Sequence, residues 1–507
     1  MNKFLLFITL LLSGYTTLLA QPYPQDVEEV LAKAGKNRPE LEKAVNYFKE
    51  TGDSLKLKAI YFLVANMDIH ESADYYWADS TGNRIAFNEL DYPDFAATVK
   101  AFEQLKQKHG KVKPVAFTYR DIDTVKADYL IDNIEKAFEA WGDKPFTPKS
   151  FEIFCEYVLP YRTSIEPLQP WREAYRHKFG AFYQNSTGKD EKHRLWNFAT
   201  GLEDAAFANS FGFETRKEPL PRLGALQLLH RKKGPCEDIV GFKVFALRSQ
   251  GIPSCVDAIP YWATSSGGHF LTNAFGSDLR PVSLEVINGS IPEERQLARE
   301  PAKVLRTTYS KQAGTLASFT DTSSIPDGFM RMQNYRDVTA DYWKTQDVKC
   351  RIPENKAPVV YACVFNYSKW RPVWWGKAEN GSVTFTNMPQ GTVVLPSYYI
   401  NGKTRPAGYP VAIINHTQKE LKPNLQQRRS ITLFWQQDYL VYRTGSKYKL
   451  YYWDNAWKLL KEQVATNTEK MVFDNVPANA LLLLRPEYSK GKERPFIIDE
   501  DGRRTWW

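Results

Sequence analysis

The sequence predicts a multidomain α+β chain. It comprises a helical N-terminal region, an α+β core and two C-terminal β-sandwich domains. Three observations carry that reading. Apolar residues recur at spacings of three and four through about residue 200, and the period switches to two beyond about residue 300. A tryptophan-led motif then returns after about 88 residues, the size of a duplicated small β-domain. At 507 residues the chain is long enough for three or four domains. Composition is ordinary for a globular protein, 43% apolar and 25% charged, but aromatic-rich, with 14 Trp and 28 Tyr. The net charge of +9 is dispersed, without a run of five Lys/Arg, which argues against a nucleic-acid partner.

Residues 1–20 read as a secretory signal peptide: Lys3, an apolar run from Phe4 to Leu12, then Leu18-Leu19-Ala20 before Gln21. That run is too short for a transmembrane segment, and no other approaches 18 consecutive apolar residues. The expectation is an exported protein, periplasmic or extracellular. Residues 21–195 read as the helical region, with Asp68 to Asn83 as a loop. In "DYLIDNIEKAFEAW", Leu130, Ile134, Ala137, Phe138 and Trp141 fall on one stripe, the mark of a core-facing helix. "FCEYVLPYRTSIEPLQPW" crowds Glu156, Tyr161, Arg162 and Glu166 among aromatics, as a buried ion pair at a domain junction or as one wall of a cleft.

The core, residues 196–300, is organised around Gly234 to Glu285. Gly234-Pro235 interrupts what precedes it, and a helix begins at Cys236 with Glu237 and Asp238 in its first turn. Ile239, Val240, Phe242 and Val244 to Leu247 leave almost no polar face, so the helix is buried on most sides. Arg248, Gly251 and Pro253 mark its end. Ile252 to Ile259 is a strand, Gly267-Gly268 a turn, and from His269 the pattern alternates. His269, Leu271, Asn273 and Phe275 take one face; Phe270, Thr272 and Ala274 take the other. A three-residue loop at Gly276-Ser277-Asp278 pairs Phe275 with Leu279 and hence His269 with Glu285, within reach of an imidazole. A thiol at a helix N-terminus favours its thiolate, but Glu237 and Asp238 oppose that, so a base is needed. His269 supplies it and Glu285 orients it, with Asp278 at the hairpin tip as the rival carboxylate.

A cysteine opening a helix, the "ALRSQGIP" helix end, a Gly-Gly-His strand and a carboxylate on the next strand resemble the transglutaminase-like superfamily. "GDSLKLKAIYFLVANM", "DYLIDNIEKAFEAW", "FCEYVLPYR" and "ERPFIIDEDGRRTWW" resemble, more narrowly, large secreted transglutaminase-like proteins of Bacteroidetes-type bacteria. The resemblance covers nearly the whole chain after the leader. It implies a papain-like core, a Cys236–His269–acid triad, and acyl transfer on a protein or peptide substrate through a thioester resolved by water or an amine. Hydrolysis is the expected outcome, since exported bacterial members resemble hydrolases. Two positions depart from the family: Glu285 where it has Asp, and Leu271 where it has Trp. By analogy with papain-like enzymes, Gln227 is a candidate oxyanion donor beside the backbone N–H of Cys236. Trp262, in the aromatic loop Tyr261-Trp262, is a cleft candidate. No cofactor and no metal is expected: the seven histidines show no H-x-x-x-H spacing and the cysteines no C-x-x-C.

Five cysteines in an exported chain leave an odd thiol. Cys155 and Cys255 read as core, and Cys350 and Cys363 flank a β-type segment as a pair open to bridging. The two β-sandwich domains, 301–425 and 426–507, resemble modules that often bind sugars. Trp374-Trp375, Trp453 and Trp506-Trp507 are their candidate stacking platforms, which makes a glycan the second expected partner. The competing reading of the whole chain is a catalytically degenerate scaffold that binds a glycan or peptide.

Overall fold

A computed structural model describes residues 23–142, 150–204, 212–213, 222–277, 281–284, 297, 299–437 and 440–507. The leader expected at 1–20 lies outside them.

Helices α1 (Gln25–Lys33), α2 (Arg38–Thr51), α3 (Ser54–Ala65) and α4 (Ala127–Trp141) bury their apolar stripes against one another around Leu31, Leu41, Phe48, Ile60, Leu63, Leu130 and Ile134. Asp53 caps α3 by accepting the N–H groups of Leu55 and Lys56. This region is not helical throughout. Strands β1 (Glu71–Ala78) and β2 (Lys113–Arg120) pair antiparallel along their full length, so half of the stretch expected as a loop is a strand. "ESADYYWA" and "KPVAFTYR" have a period of two and carry aromatics that meet across the ladder, Tyr76 and Phe117 with ring centroids 6.3 Å apart. The amphipathic helix Phe95–His109 between them masked the change of period.

The core combines α5 (Arg172–Asn185), α6 (Ala225–Arg231) and α7 (Cys236–Ser249) with a five-stranded antiparallel sheet. Its strands are β3 (Ser254–Ile259), β4 (His269–Phe275), β5 (Pro281–Ser283), β6 (Leu305–Thr307) and β7 (Tyr335–Asp337), ordered β7-β6-β3-β4-β5. Helix α7 lies on the sheet face that carries Ser254, Val256, Phe270 and Ala274. Val240 and Val244 pack with Val256 and Phe270, while Phe242 and Phe245 join Trp171, Tyr175 and Phe179 beside α5. The helix closes with a Schellman motif: Ile252 N–H bonds Leu247 C=O and Gly251 N–H bonds Arg248 C=O, each at 3.0 Å. Gly251 has φ +76°, and a Cβ there would lie 2.1 Å from the Ala140 carbonyl oxygen, so both backbone and packing require glycine. Arg248 turns inward, donating to the carbonyls of Tyr157 (3.0 Å), Arg162 (2.7 Å) and Ser254 (2.9 Å).

The opposite sheet face is organised by Asp257, which is fully buried. It takes a bidentate pair from Arg306 (2.9 and 2.7 Å) and further bonds from Tyr342 Oη (2.6 Å) and Asn273 (2.8 Å). Burial pushes its pKa up, but the Arg306 charge and these bonds outweigh burial and hold the carboxyl below its ordinary value. Between β4 and β5 the register pairs Phe275 with Pro281, not Leu279, so the expected opposition of His269 and Glu285, which rested on the Leu279 pairing, does not follow. A proline, having no N–H to give, suits the first position of an edge strand.

Beyond residue 340 two sets of strands repeat at a constant offset of 88. The first is β8 (Thr345–Arg351), β9 (Val359–Asn366), β10 (Lys369–Glu379), β11 (Ser382–Pro389) and β12 (Val393–Ile400). Strands β13 (Lys447–Trp453), β14 (Trp457–Val464), β15 (Lys470–Ala478) and β16 (Leu482–Pro486) correspond to β9–β12. The bulge after Ala362 recurs after Leu450. Positive φ recurs at Tyr367 and Asn455, at Asn387 and Asn475, and at Gly391 and Asn479. All five cysteines are free thiols, so Cys350 and Cys363 do not bridge. They lie in different apolar clusters, one on each side of the first β-unit.

Candidate active site

Cys236 is the first residue of α7, set by Pro235, and it is half-buried; the other four cysteines are buried. Burial pushes the Cys155 and Cys363 thiols up to about 12, and those of Cys255 and Cys350 higher still. The two acids beside Cys236 have their own attachments. Glu237 is ion-paired with Arg222, and Asp238 folds back so closely on Gly234 that a Cβ there would sit 2.3 Å from Asp238 Oδ2. The Arg222 guanidinium also lies 5.4 Å over the Phe270 ring. One side chain therefore touches the neighbour of Cys236 and the neighbour of His269, and the start of α7 lies beside the start of β4.

His269 is the first residue of β4, opposite Ile259. Strand alternation sets Phe270 on the α7 side, whereas Leu271 packs with Ile259, Val304 and Tyr342 on the other. The His269 imidazole stacks on Trp262, ring centroids 6.1 Å apart and 25° between planes. Trp262, only 9% exposed, belongs to that second cluster, so it contributes as a wall behind the imidazole. Glu285 and its rival Asp278 lie outside the described residues. The described β4–β5 ladder runs from Phe275 to Asn273, with Leu284 N–H bonding Thr272 C=O at 3.0 Å, and stops short of His269.

Gln227 is occupied elsewhere. Its Oε1 accepts the Gly224 N–H (2.8 Å), capping α6, and its Nε2 reaches Tyr75 Oη at 3.4 Å. The crowded stretch around Arg162 is a junction. Arg162 pairs with Asp121 at 2.5 Å, Glu166 accepts the N–H groups of Thr163 and Ser164, and Glu156 accepts those of Tyr309 and Ser310.

Two residues to which the sequence assigns no role, Arg494 in the "ERPFIIDEDGRRTWW" stretch among them, hold the loop before His269. Asn366, fully buried at the end of β9, donates through Nδ2 to the carbonyls of Trp262 (3.0 Å), Ser265 (2.9 Å) and Gly267 (3.0 Å). Arg494 donates to the carbonyls of Ala263 and Ser265. The only local signal was the Tyr367-Ser368 turn directly after Asn366, where a hairpin favours Asn-Gly.

Of the candidate platform tryptophans two are buried, and Trp374, Trp375 and Trp506 are half-buried. Trp453 and Trp507 are buried. Trp374 donates to Thr386 Oγ1 (3.2 Å) beneath Lys303, Trp375 packs edge-on against Phe319, and Trp506 donates to Gln436 Oε1 (2.9 Å). Among the described residues no three His, Cys, Asp or Glu side chains gather to hold a metal, and no helix is long and apolar enough to cross a membrane.

No family model matches the chain, and no curated protein matches it. Among solved structures it is similar to red sea bream transglutaminase: 9% identity, covering 85% of this chain and 76% of that one, with a TM-score of 0.20. A likeness that slight carries no argument about mechanism.

Proposed function

We propose that the chain is an exported cysteine-dependent acyl-transfer enzyme of transglutaminase-like type, acting on peptide or side-chain amides. One observation carries the reading. Cys236 is the one cysteine not buried, and it opens a helix whose N-terminus adjoins the strand begun by His269. In the reaction His269 takes the thiol proton as Cys236 Sγ attacks the amide carbonyl carbon. The C–N bond breaks, the same proton goes to the leaving amine, and a thioester remains for water or an amine to resolve. The Cys236 N–H, at the start of the helix, stabilises the oxyanion. The leader-like residues 1–20 support export.

A second reading, a catalytically degenerate scaffold that binds a peptide or glycan, is favoured by a specific observation: Phe270, not His269, follows the strand alternation toward α7. A panel of peptide, glutamine-amide and cell-wall-peptide libraries separates the two. The enzyme reading expects ammonia or amine release that Cys236→Ala abolishes and His269→Ala lowers by about 10²–10⁴. Retention of a library member without release, unchanged in Cys236→Ala, supports the scaffold.

A further inference from the structure

The segment between β3 and β4 is held from outside the core. Asn366 uses both ends of its amide: Nδ2 serves three loop carbonyls, and Oδ1 accepts the Gly267 N–H at 3.1 Å. Arg494, from the second β-unit, takes the carbonyls of Ala263 and Ser265 while its Nε donates to the Trp507 carbonyl oxygen at 2.6 Å. Four successive-neighbourhood carbonyls, those of 262, 263, 265 and 267, are thus fixed by two side chains. Both come from segments remote in sequence, and both act immediately before His269.

The repeat supplies an internal comparison. The position equivalent to Asn366 is Asp454, which accepts from Tyr409 Oη (3.1 Å) and Lys458 (2.7 Å). In both copies this strand end binds a neighbouring side chain or loop, but only in the first does it seize the loop leading to His269. The turn that follows differs as well. Asn455 adopts φ +59°, common for asparagine, whereas Tyr367 and Ser368 both take positive φ, +47° and +57°, which neither side chain favours. Backbone strain of this kind persists where the surroundings over-determine it, often at functional sites. Here it places the Tyr367 hydroxyl beside Gly267, 3.7 Å from where a Cβ would stand.

We propose that Asn366 and Arg494 are positioning residues for the reaction at Cys236: the two β-units clamp the 262–267 loop, which fixes Trp262 and, through its stack, the His269 imidazole. The proposal rests on His269 being the base. Its test combines amide hydrogen exchange over 262–269 with the pH profile of Cys236 alkylation by iodoacetamide, on the full chain. Variants are Asn366→Ala, Arg494→Gln, Arg494→Lys and His269→Ala. The clamp predicts loop exchange about tenfold faster in Asn366→Ala and Arg494→Gln. It also predicts an alkylation profile displaced toward that of His269→Ala and about tenfold slower at neutral pH, with Arg494→Lys recovering part of both. Faster loop exchange with a wild-type profile overturns the positioning role, as does an unchanged loop. If His269→Ala itself keeps the wild-type profile, the base assignment falls and the clamp's catalytic role with it. The two failures are therefore distinguishable.

Discussion

His70 is enclosed on all sides, its Nε2–H donated to the Tyr309 carbonyl at 2.8 Å and its ring stacked 4.2 Å from the Tyr309 ring. Burial first, then the Arg162 charge, pushes its pKa down to about 3 from an ordinary 6.5. Between those values the unfolded chain binds a proton that the folded chain refuses. The stability contributed by neutral His70 is therefore whole above pH 6.5 and is lost on acidification toward pH 3, at about 1.4 kcal/mol per pH unit. Urea titrations at pH 7, 6, 5 and 4 should show His70→Asn with a shallower loss than the wild type, and equal slopes would refute the assignment. Residues of this kind explain what could be read from sequence. The helix start at Cys236 was legible because the Gly-Pro break before it is a local signal. Asn366 was not, because its partners are main-chain carbonyls about a hundred positions earlier, and main-chain carbonyls leave no mark on a sequence. Gln227 has a capping role that its spacing to Cys236 did not suggest: its oxygen accepts the Gly224 N–H.

Elements bounded by strong punctuation were the legible ones. Pro235, Gly251 and Pro253 delimit α7 correctly, because proline and left-handed glycine act on their own backbone. Strand β1 was missed since its aromatic alternation occupies only eight residues between helices. The β4–β5 register slipped by two, since loop length is decided by which residue can begin the returning strand, and Pro281 does so. The importance of the α7 terminus can be measured against an internal control. Gly52 and Gly251 both have positive φ, +70° and +76°, but a Cβ at Gly52 meets nothing within 4 Å. Gly52→Ala should cost about 1 kcal/mol, the backbone penalty alone, and Gly251→Ala distinctly more, because the Ala140 carbonyl must move. Equal shifts in urea midpoint would show that the close approach to α4 is not a constraint.

At the scale of the whole molecule, the β-units are joined to each other and to the core by different chemistry. Between the units, Phe365, Trp370, Trp453 and Trp457 close a ring of edge-to-face contacts with centroids 5.2–5.6 Å apart. Such pairs add to the apolar area they remove from water and tolerate little displacement. Toward the core the contacts are polar and directional: Lys303 Nζ bridges Asp337 (2.6 Å) and the carbonyls of Thr386 and Asn387, while Asn366 and Arg494 hold the loop before β4. The duplication was legible because the repeated Phe-x-Asn-x-Pro stretch carries its own turn geometry, Asn387 and Asn475 both left-handed. How the copies dock was not, because the ring joins side chains of both copies, and of its members only Trp453 reads from the sequence as a ligand platform. The architecture thus builds one loop, one imidazole and one reachable thiol into a common frame. The most direct test is to treat the native protein with iodoacetamide at neutral pH and map every modified cysteine by mass spectrometry. The account predicts rapid modification of Cys236, silence at Cys155, Cys255, Cys350 and Cys363, and a slower Cys236 in His269→Ala. A Cys236 that reacts no faster than a free thiol in the same tube, indifferent to loss of the imidazole, would contradict it.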